Sequence, residues 1–147
     1  MSSFQPIHIG ASILKVRKSQ EGNPLLSHIS RAKLEWCPSN ELLADFVTKG
    51  VGILFLQVSW HRKNPVYIKH QMHGMKNMFK LRVLLLHYNE QESDLGSSAS
   101  MVLEEMNSLC LTLDFTLVVA MTVQECARYL EYFLEFEGTS DTSIKGQ

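Results

Sequence analysis

The residues able to do chemistry are few in this sequence of 147 residues. Four histidines, His61, His70, His73 and His87, are spread over one central stretch. His70 and His73 are three apart, a spacing that puts both on one face of a helix and is compatible with co-ligation of a metal. No carboxylate on that helix completes the set, and the nearest, Glu90, lies beyond the following apolar run. The stronger reading is exposed, unpaired histidines and no metal site. Neither GxxxxGK[ST] nor GxGxxG occurs, so no phosphate-cradling loop is expected. GxSxG is missing too, and no Ser-His or Cys-His pairing follows from spacing. Cys37, Cys110 and Cys126 show no metal-binding spacing and sit in apolar contexts, which suits buried thiols in a reducing compartment. Asp45 stands just before an apolar run, where a metal-dependent nuclease would keep a carboxylate. Residues 53–58, ILFLQV, then supply no acid or base. One isolated carboxylate does not assemble a catalytic magnesium site, which draws its oxygen ligands from several groups. No cofactor is implied.

Two binding surfaces remain. Trp60-His61-Arg62-Lys63-Asn64 places an aromatic and two cations at an expected strand-to-helix junction, with Lys69, Lys76, Lys80 and Arg82 further on. A helix N-terminus with Arg and Lys nearby suits phosphate contact, and a solvated basic face is the plainer alternative. Phe55, Trp60 and Tyr67 belong either to the core or to a groove that receives a peptide. Phe55 alternates within an apolar run and is expected inside. Trp60, among polar neighbours, is expected to be half exposed. The formal net charge of -1 excludes a polycation, so any nucleic-acid contact must be local.

The elements that position these residues centre on 51–88. Two apolar runs, 51–60 and 80–88, read as strands. Asn64-Pro65 is a helix-start signal, and Ile68, Met72, Met75 and Phe79 recur at helical spacing after it. Strand, helix and strand in this length predict a parallel crossover unit. Earlier, 12–17 and 32–36 read as strands, 25–29 as a helical turn, and 41–46 as a brief helical turn or irregular segment. Gly22-Asn23-Pro24 is a turn signal that keeps Asn23 extended. Later, 89–100 reads as a surface loop whose Ser100 caps a helix over 101–111. Residues 114–120 form a third apolar strand. Thr122 with Glu125 forms a capping box for a helix to about 136, ended by Gly138, with Cys126, Tyr129, Leu130 and Phe133 inward. Hydrophobic content of 45% and charged content of 20% are ordinary for one globular domain. The expected fold is α/β, with a mixed, mainly parallel sheet flanked by helices. The expected organisation is a flexible N-terminus over 1–11, one domain over 12–137 and a polar tail over 138–147. No signal peptide and no membrane-spanning run is read.

Gly22-Asn23-Pro24-Leu25, Leu54-Phe55-Leu56, Tyr67-Ile68, Leu81-Arg82-Val83-Leu84-Leu85 and Ala127-Arg128-Tyr129-Leu130-Glu131 occur in that order. Together they resemble the central domain of the small, non-catalytic subunit of the excision-repair endonuclease, the partner of the XPF nuclease. The resemblance covers about 13–136. It implies a nuclease-like (restriction-endonuclease-type) fold with a lost active site. Active relatives carry a Gly-Asp pair and a Glu-Arg-Lys run, where this chain has Ala44-Asp45 and Leu56-Gln57-Val58. Asp45 is then a vestigial active-site residue and the protein is not itself an enzyme.

The resemblance further implies a nuclear module that binds single-stranded or junction DNA in nucleotide excision and interstrand cross-link repair, in a heterodimer with an XPF-type endonuclease subunit. DNA contact would fall to Arg62, Lys63, Lys69 and Lys76. A Gly-rich peptide of the XPA-type damage-recognition protein would dock in a groove of Asn23, Phe55, Gln57, Trp60 and Tyr67. Gln57 stands where a small serine is expected, and Ser19 where an arginine is common. The helix-hairpin-helix domain that normally follows is not read in this chain. The competing expectations are an active metal-dependent nuclease and a protein-only adaptor without DNA binding.

Overall fold

The computed structural model describes residues 12–89 and 96–136, with 96–98 described by backbone alone. Its elements in chain order are β1 (Ile13–Arg17), β2 (Lys33–Cys37), β3 (Phe46–Thr48), β4 (Val51–Gln57), α1 (Val58–Lys63), α2 (Tyr67–Gly74), β5 (Leu81–His87), α3 (Gly96–Leu113), β6 (Thr116–Ala120) and α4 (Val123–Leu134). Short 3-10 turns occupy Lys18–Gln20 and Pro24–His28. The six strands form one sheet in the order β2-β1-β3-β4-β5-β6. β1 pairs parallel with β2, and β4, β5 and β6 run parallel to one another. The short β3 joins the two halves antiparallel. The alternation of apolar runs and helical segments predicts the mainly parallel sheet, and its mixed character agrees with the fold that the resemblance implies.

Alternation across the strands builds a core on each face. Leu54 and Leu56 of β4, with Leu84 and Leu86 of β5, meet Ile68, Met72 and Met75 from the α2 region and Met106 and Cys110 of α3. On the other face Leu14, Val16, Phe46, Ile53, Val83 and Leu85 meet Leu25, Cys126, Leu130 and Phe133. β4 and β5 therefore carry continuous apolar runs over 53–56 and 83–86, because helices cover both their sides.

The parallel crossover from β4 to β5 is as expected, but its interior differs. β4 stops at Gln57, and α1 begins at Val58, so Trp60 is helical. Asn64 is the C-cap of α1: its N–H and side-chain Nδ2 both donate to the Trp60 carbonyl at 3.0 Å. The second helix starts at Tyr67. Asn-Pro here ends one helix and spaces it from the next, and the apolar run of 51–60 hid the junction. Phe79 lies outside α2 at φ 65°. Its ring lies against Gly52, where an added Cβ would meet it at 2.4 Å, so a glycine is required in mid-strand.

Other expectations are corrected. Phe46, the last residue of the segment read as a helical turn or irregular, begins a strand, β3, that runs to Thr48. Ser100 lies inside α3 and does not cap it, because that helix already runs from Gly96. Positions 90–95 of the expected loop, the N-terminal stretch 1–11 and the tail with Gly138 lie outside the described residues.

Thr122 caps α4 as read, accepting the Glu125 N–H at 3.1 Å, while Glu125 Oε1 accepts the Met121 N–H at 2.7 Å. α4 ends at Leu134. Its inward face includes Ala127, Glu131 and Leu134, whereas Tyr129, read as inward, is half exposed. Glu131 is buried because its Oε2 accepts the Ser30 and Arg31 N–H groups at 2.9 and 3.2 Å, which ties α4 to the turn before β2. Burial pushes the thiols of Cys110 and Cys126 up to about 11 and about 12, so both stay protonated at neutral pH. Among the described residues no helix is long and apolar enough to cross a membrane.

Candidate functional site

The C-terminal end of β4 opens into a cleft of about 560 Å³. Asn23, Phe55, Gln57, Trp60 and Tyr67 all line it, together with Asp45, Arg17 and Gln20. The five come from three separate stretches of chain, and each is held by a local cause. Pro24 keeps Asn23 extended at φ -68°, and the Asn23 Oδ1 accepts the Leu25 N–H at 3.0 Å to start the 3-10 turn. The Asn23 Nδ2 donates to Gln20 Oε1 at 2.9 Å, which fixes the amide plane. Phe55 is half buried: the strand period turns it toward the α4 face, but the cleft leaves one side of its ring open. Gln57, the last residue of β4, projects to solvent. Trp60 of α1 is 41% exposed, the half-exposed indole expected, and meets the Tyr67 ring edge-on with centroids 4.9 Å apart. That contact sets the two aromatic walls at a fixed angle.

Asp45 sits at the base of the cleft. It is 1% exposed, and its Oδ2 accepts the Phe55 N–H at 2.8 Å. Its Oδ1 has no hydrogen-bond partner among the described residues. Burial raises its pKa from 3.8 to about 6, against the opposing pull of that N–H, the Arg17 charge and the Gln20 side chain. Burial, and next the Asp45 charge, raise the Tyr67 hydroxyl pKa as well. Arg17 bridges the site: its Nε donates to the Ser39 carbonyl at 3.1 Å and its Nη1 to the Tyr67 hydroxyl at 3.5 Å. Sequence reading missed Arg17. A cation ending an apolar strand just before a polar turn was the available signal. Among the described residues no three of His, Cys, Asp and Glu are grouped to hold a metal ion.

Two of the four histidines are buried. His61 is buried, with Nε2 3.2 Å from Glu105 Oε1, a link between α1 and α3. His87, at the end of β5, is buried with its Nδ1 3.3 Å from Gln57 Nε2. His70 and His73 are exposed.

Arg62, Lys63, Lys69 and Lys76 are all exposed. Arg62 and Lys63 occupy the last turn of α1, not a helix N-terminus, and Lys76 follows the end of α2. Arg62 and Lys63 are therefore not at the N-terminus of their own helix, whereas Lys69 lies in the first turn of α2. The strand ended three residues earlier than its apolar pattern suggested, and the helix began ahead of the cations.

Comparison with known proteins places this fold. An XPF from Aeropyrum pernix superposes with a TM-score of 0.70 at 12% identity, covering 91% of this chain and 69% of that one. A complex of XPF from the same organism with DNA gives 0.64 at 12% identity, covering 92% and 66%. Both likenesses concern the fold alone. In sequence, the mating-type switching protein swi10 of Schizosaccharomyces pombe is 29% identical over 92% of this chain and 51% of its own length. The DNA excision repair protein ERCC-1 of Arabidopsis thaliana is 32% identical over 90% of this chain and 30% of its own. The DNA repair protein RAD10 of Saccharomyces cerevisiae is 26% identical over 88% and 59%. The chain thus spans between about a third and three-fifths of these relatives. A sequence profile described as the binding domain of DNA repair protein Ercc1 (rad10/Swi10) matches residues 11–140. With that match over most of its length, on a nuclease-like sheet whose strand β4 carries Leu56 and Gln57, the chain belongs to the Ercc1 (Rad10/Swi10) family.

Proposed function

We propose that this domain is a non-catalytic docking and DNA-binding module of a nuclear DNA-repair complex, supporting an XPF-type endonuclease in nucleotide excision repair. The observation that carries the reading is the convergence of Asn23, Phe55, Gln57, Trp60 and Tyr67 on one open cleft with two fixed aromatic walls. Such a cleft suits an extended peptide: rings supply contact area at low entropic cost, and the Asn23 and Gln57 amides match main-chain groups. An XPA-type damage-recognition peptide is the occupant proposed. The non-catalytic part of the reading is supported by Asp45, which is turned into the fold and holds the Phe55 N–H. The next positions along β4 are Leu56 and Gln57. The exposed Arg62, Lys63, Lys69 and Lys76 are assigned to phosphates of single-stranded or junction DNA, as point charges on the surface.

Titration of a labelled Gly-rich peptide, followed by anisotropy, tests the cleft. Tyr67→Ala removes one wall and should weaken binding at least tenfold; undiminished binding refutes the docking role. Titration of a DNA junction at several salt concentrations tests the surface. Arg62→Glu with Lys63→Glu should weaken binding and flatten the salt dependence, while unchanged affinity refutes the assignment. Magnesium-dependent cleavage of a stem-loop, lost in Asp45→Ala, would overturn the non-catalytic reading.

A further inference from the structure

Gln57 and His87 are register partners at the C-terminal ends of the parallel strands β4 and β5. Side chains of paired residues in a parallel ladder project to the same face, so the two meet by construction. As placed, Gln57 Nε2 donates to His87 Nδ1 at 3.3 Å. Donation to Nδ1 requires the neutral ring with its proton on Nε2. The His87 ring is itself held, being 7% exposed with its centroid 6.4 Å from that of Phe55 at 33°. Gln57 lines the cleft and is exposed, and among the described residues the bond to His87 is the one that orients its carboxamide. With one N–H committed to His87, the Gln57 Oε1 and the second N–H are available to an occupant.

We propose that Gln57, oriented by His87, is a specificity-determining residue of the cleft: its Oε1 accepts one main-chain N–H of an extended peptide. The inference rests on the peptide-docking reading above and deepens it. An exposed glutamine free to rotate would present oxygen and nitrogen alternately and would discriminate poorly between an amide N–H and an N-alkylated position. A braced one presents a fixed acceptor. His87 acts through Gln57 and is a positioning residue. Phe55, Gln57, Trp60 and Tyr67 line the same cleft, so one extended strand laid in it meets both this polar edge and the aromatic walls.

The test uses capped peptides with three central glycines, each glycine replaced in turn by sarcosine, which deletes one N–H. Wild-type protein should bind the unmodified peptide and lose about tenfold at one sarcosine position. Gln57→Ala should bind with that one discrimination reduced to about twofold or less and the others unchanged. His87→Phe keeps an aromatic ring beside Phe55 but removes the acceptor, and should lose the same discrimination. His87→Asn, whose Oδ1 falls near the place of Nδ1, should restore it, an outcome that a merely structural role for His87 does not produce. Persistence of the tenfold discrimination in Gln57→Ala overturns the inference while leaving the docking reading intact. Equal loss in His87→Phe and His87→Asn, with Gln57→Ala behaving as expected, overturns the positioning role. Absence of binding to the unmodified peptide overturns the docking reading and this inference together.

Discussion

The buried carboxylate of Asp45 makes a quantitative prediction about stability. A carboxyl whose pKa rises on folding holds its proton more tightly in the folded state. Its ionisation therefore costs stability as pH climbs through the unfolded value of 3.8 toward the folded value of about 6, and the whole cost is present above that. At about 1.4 kcal/mol per pH unit, the gap amounts to about 3 kcal/mol. Roughly 0.5 kcal/mol of this has accumulated by pH 4 and nearly all by pH 7.5. Asp45→Asn keeps an oxygen to accept the Phe55 N–H but does not ionise. Its new amide N–H groups bring a packing and hydrogen-bonding offset of about 1 kcal/mol that does not vary with pH. The stability of the variant relative to wild type should therefore rise by about 2.5 kcal/mol between pH 4 and pH 8, whatever the offset. Urea denaturation at half-unit pH intervals, followed by fluorescence of Trp36 and Trp60, measures this difference, and titrations common to both proteins cancel. A relative stability that varies by less than about 1 kcal/mol across the range refutes desolvation as the dominant influence on Asp45. A fall with rising pH would mean that the Arg17 charge outweighs burial.

Glu131→Ala strands the Ser30 and Arg31 N–H groups and should cost about 2 kcal/mol in urea denaturation, with Glu131→Gln, which keeps one acceptor oxygen, costing less. Gly52→Ala drives a methyl group into the Phe79 ring and should cost about 1–3 kcal/mol by the same measurement, with Phe79→Ala in the same chain recovering part of the loss. Thr122→Ala removes the α4 cap and should cost about 1 kcal/mol, with faster amide exchange at Glu125 as the local readout.

Residues such as Leu54, Leu84, Thr122 and Asn23 were legible because their reasons are local or periodic. Two apolar runs bracketing an amphipathic segment leave little but a parallel pair covered on both faces, and β4 and β5 are that pair. Thr122 followed three residues on by Glu125 specifies a helix start through its own hydrogen bonds, and Pro24 restricts Asn23 through its ring. The grouping of Asn23, Phe55, Gln57, Trp60 and Tyr67 came from resemblance, since no spacing joins position 23 to position 67.

What the chain could not disclose alone was decided across distances that sequence does not encode. β4 ends at Gln57, a polar residue flanked by the apolar Leu56 and Val58, and the buried Val58 belongs to a helix where the pattern also suited a continued strand. That choice moved Arg62 and Lys63 to a helix C-terminus. Asp45 was a lone acid until folding placed it under Phe55 and beside Arg17, twenty-eight positions away by their numbers. His61 and His87 have partners that sequence does not pair with them: α3 supplies Glu105 to one and the β4–β5 register supplies Gln57 to the other. Local sequence sets backbone preference and apolar period. Burial, partner and charge environment belong to the tertiary structure, because each depends on which remote residue the packing brings within about 3 Å.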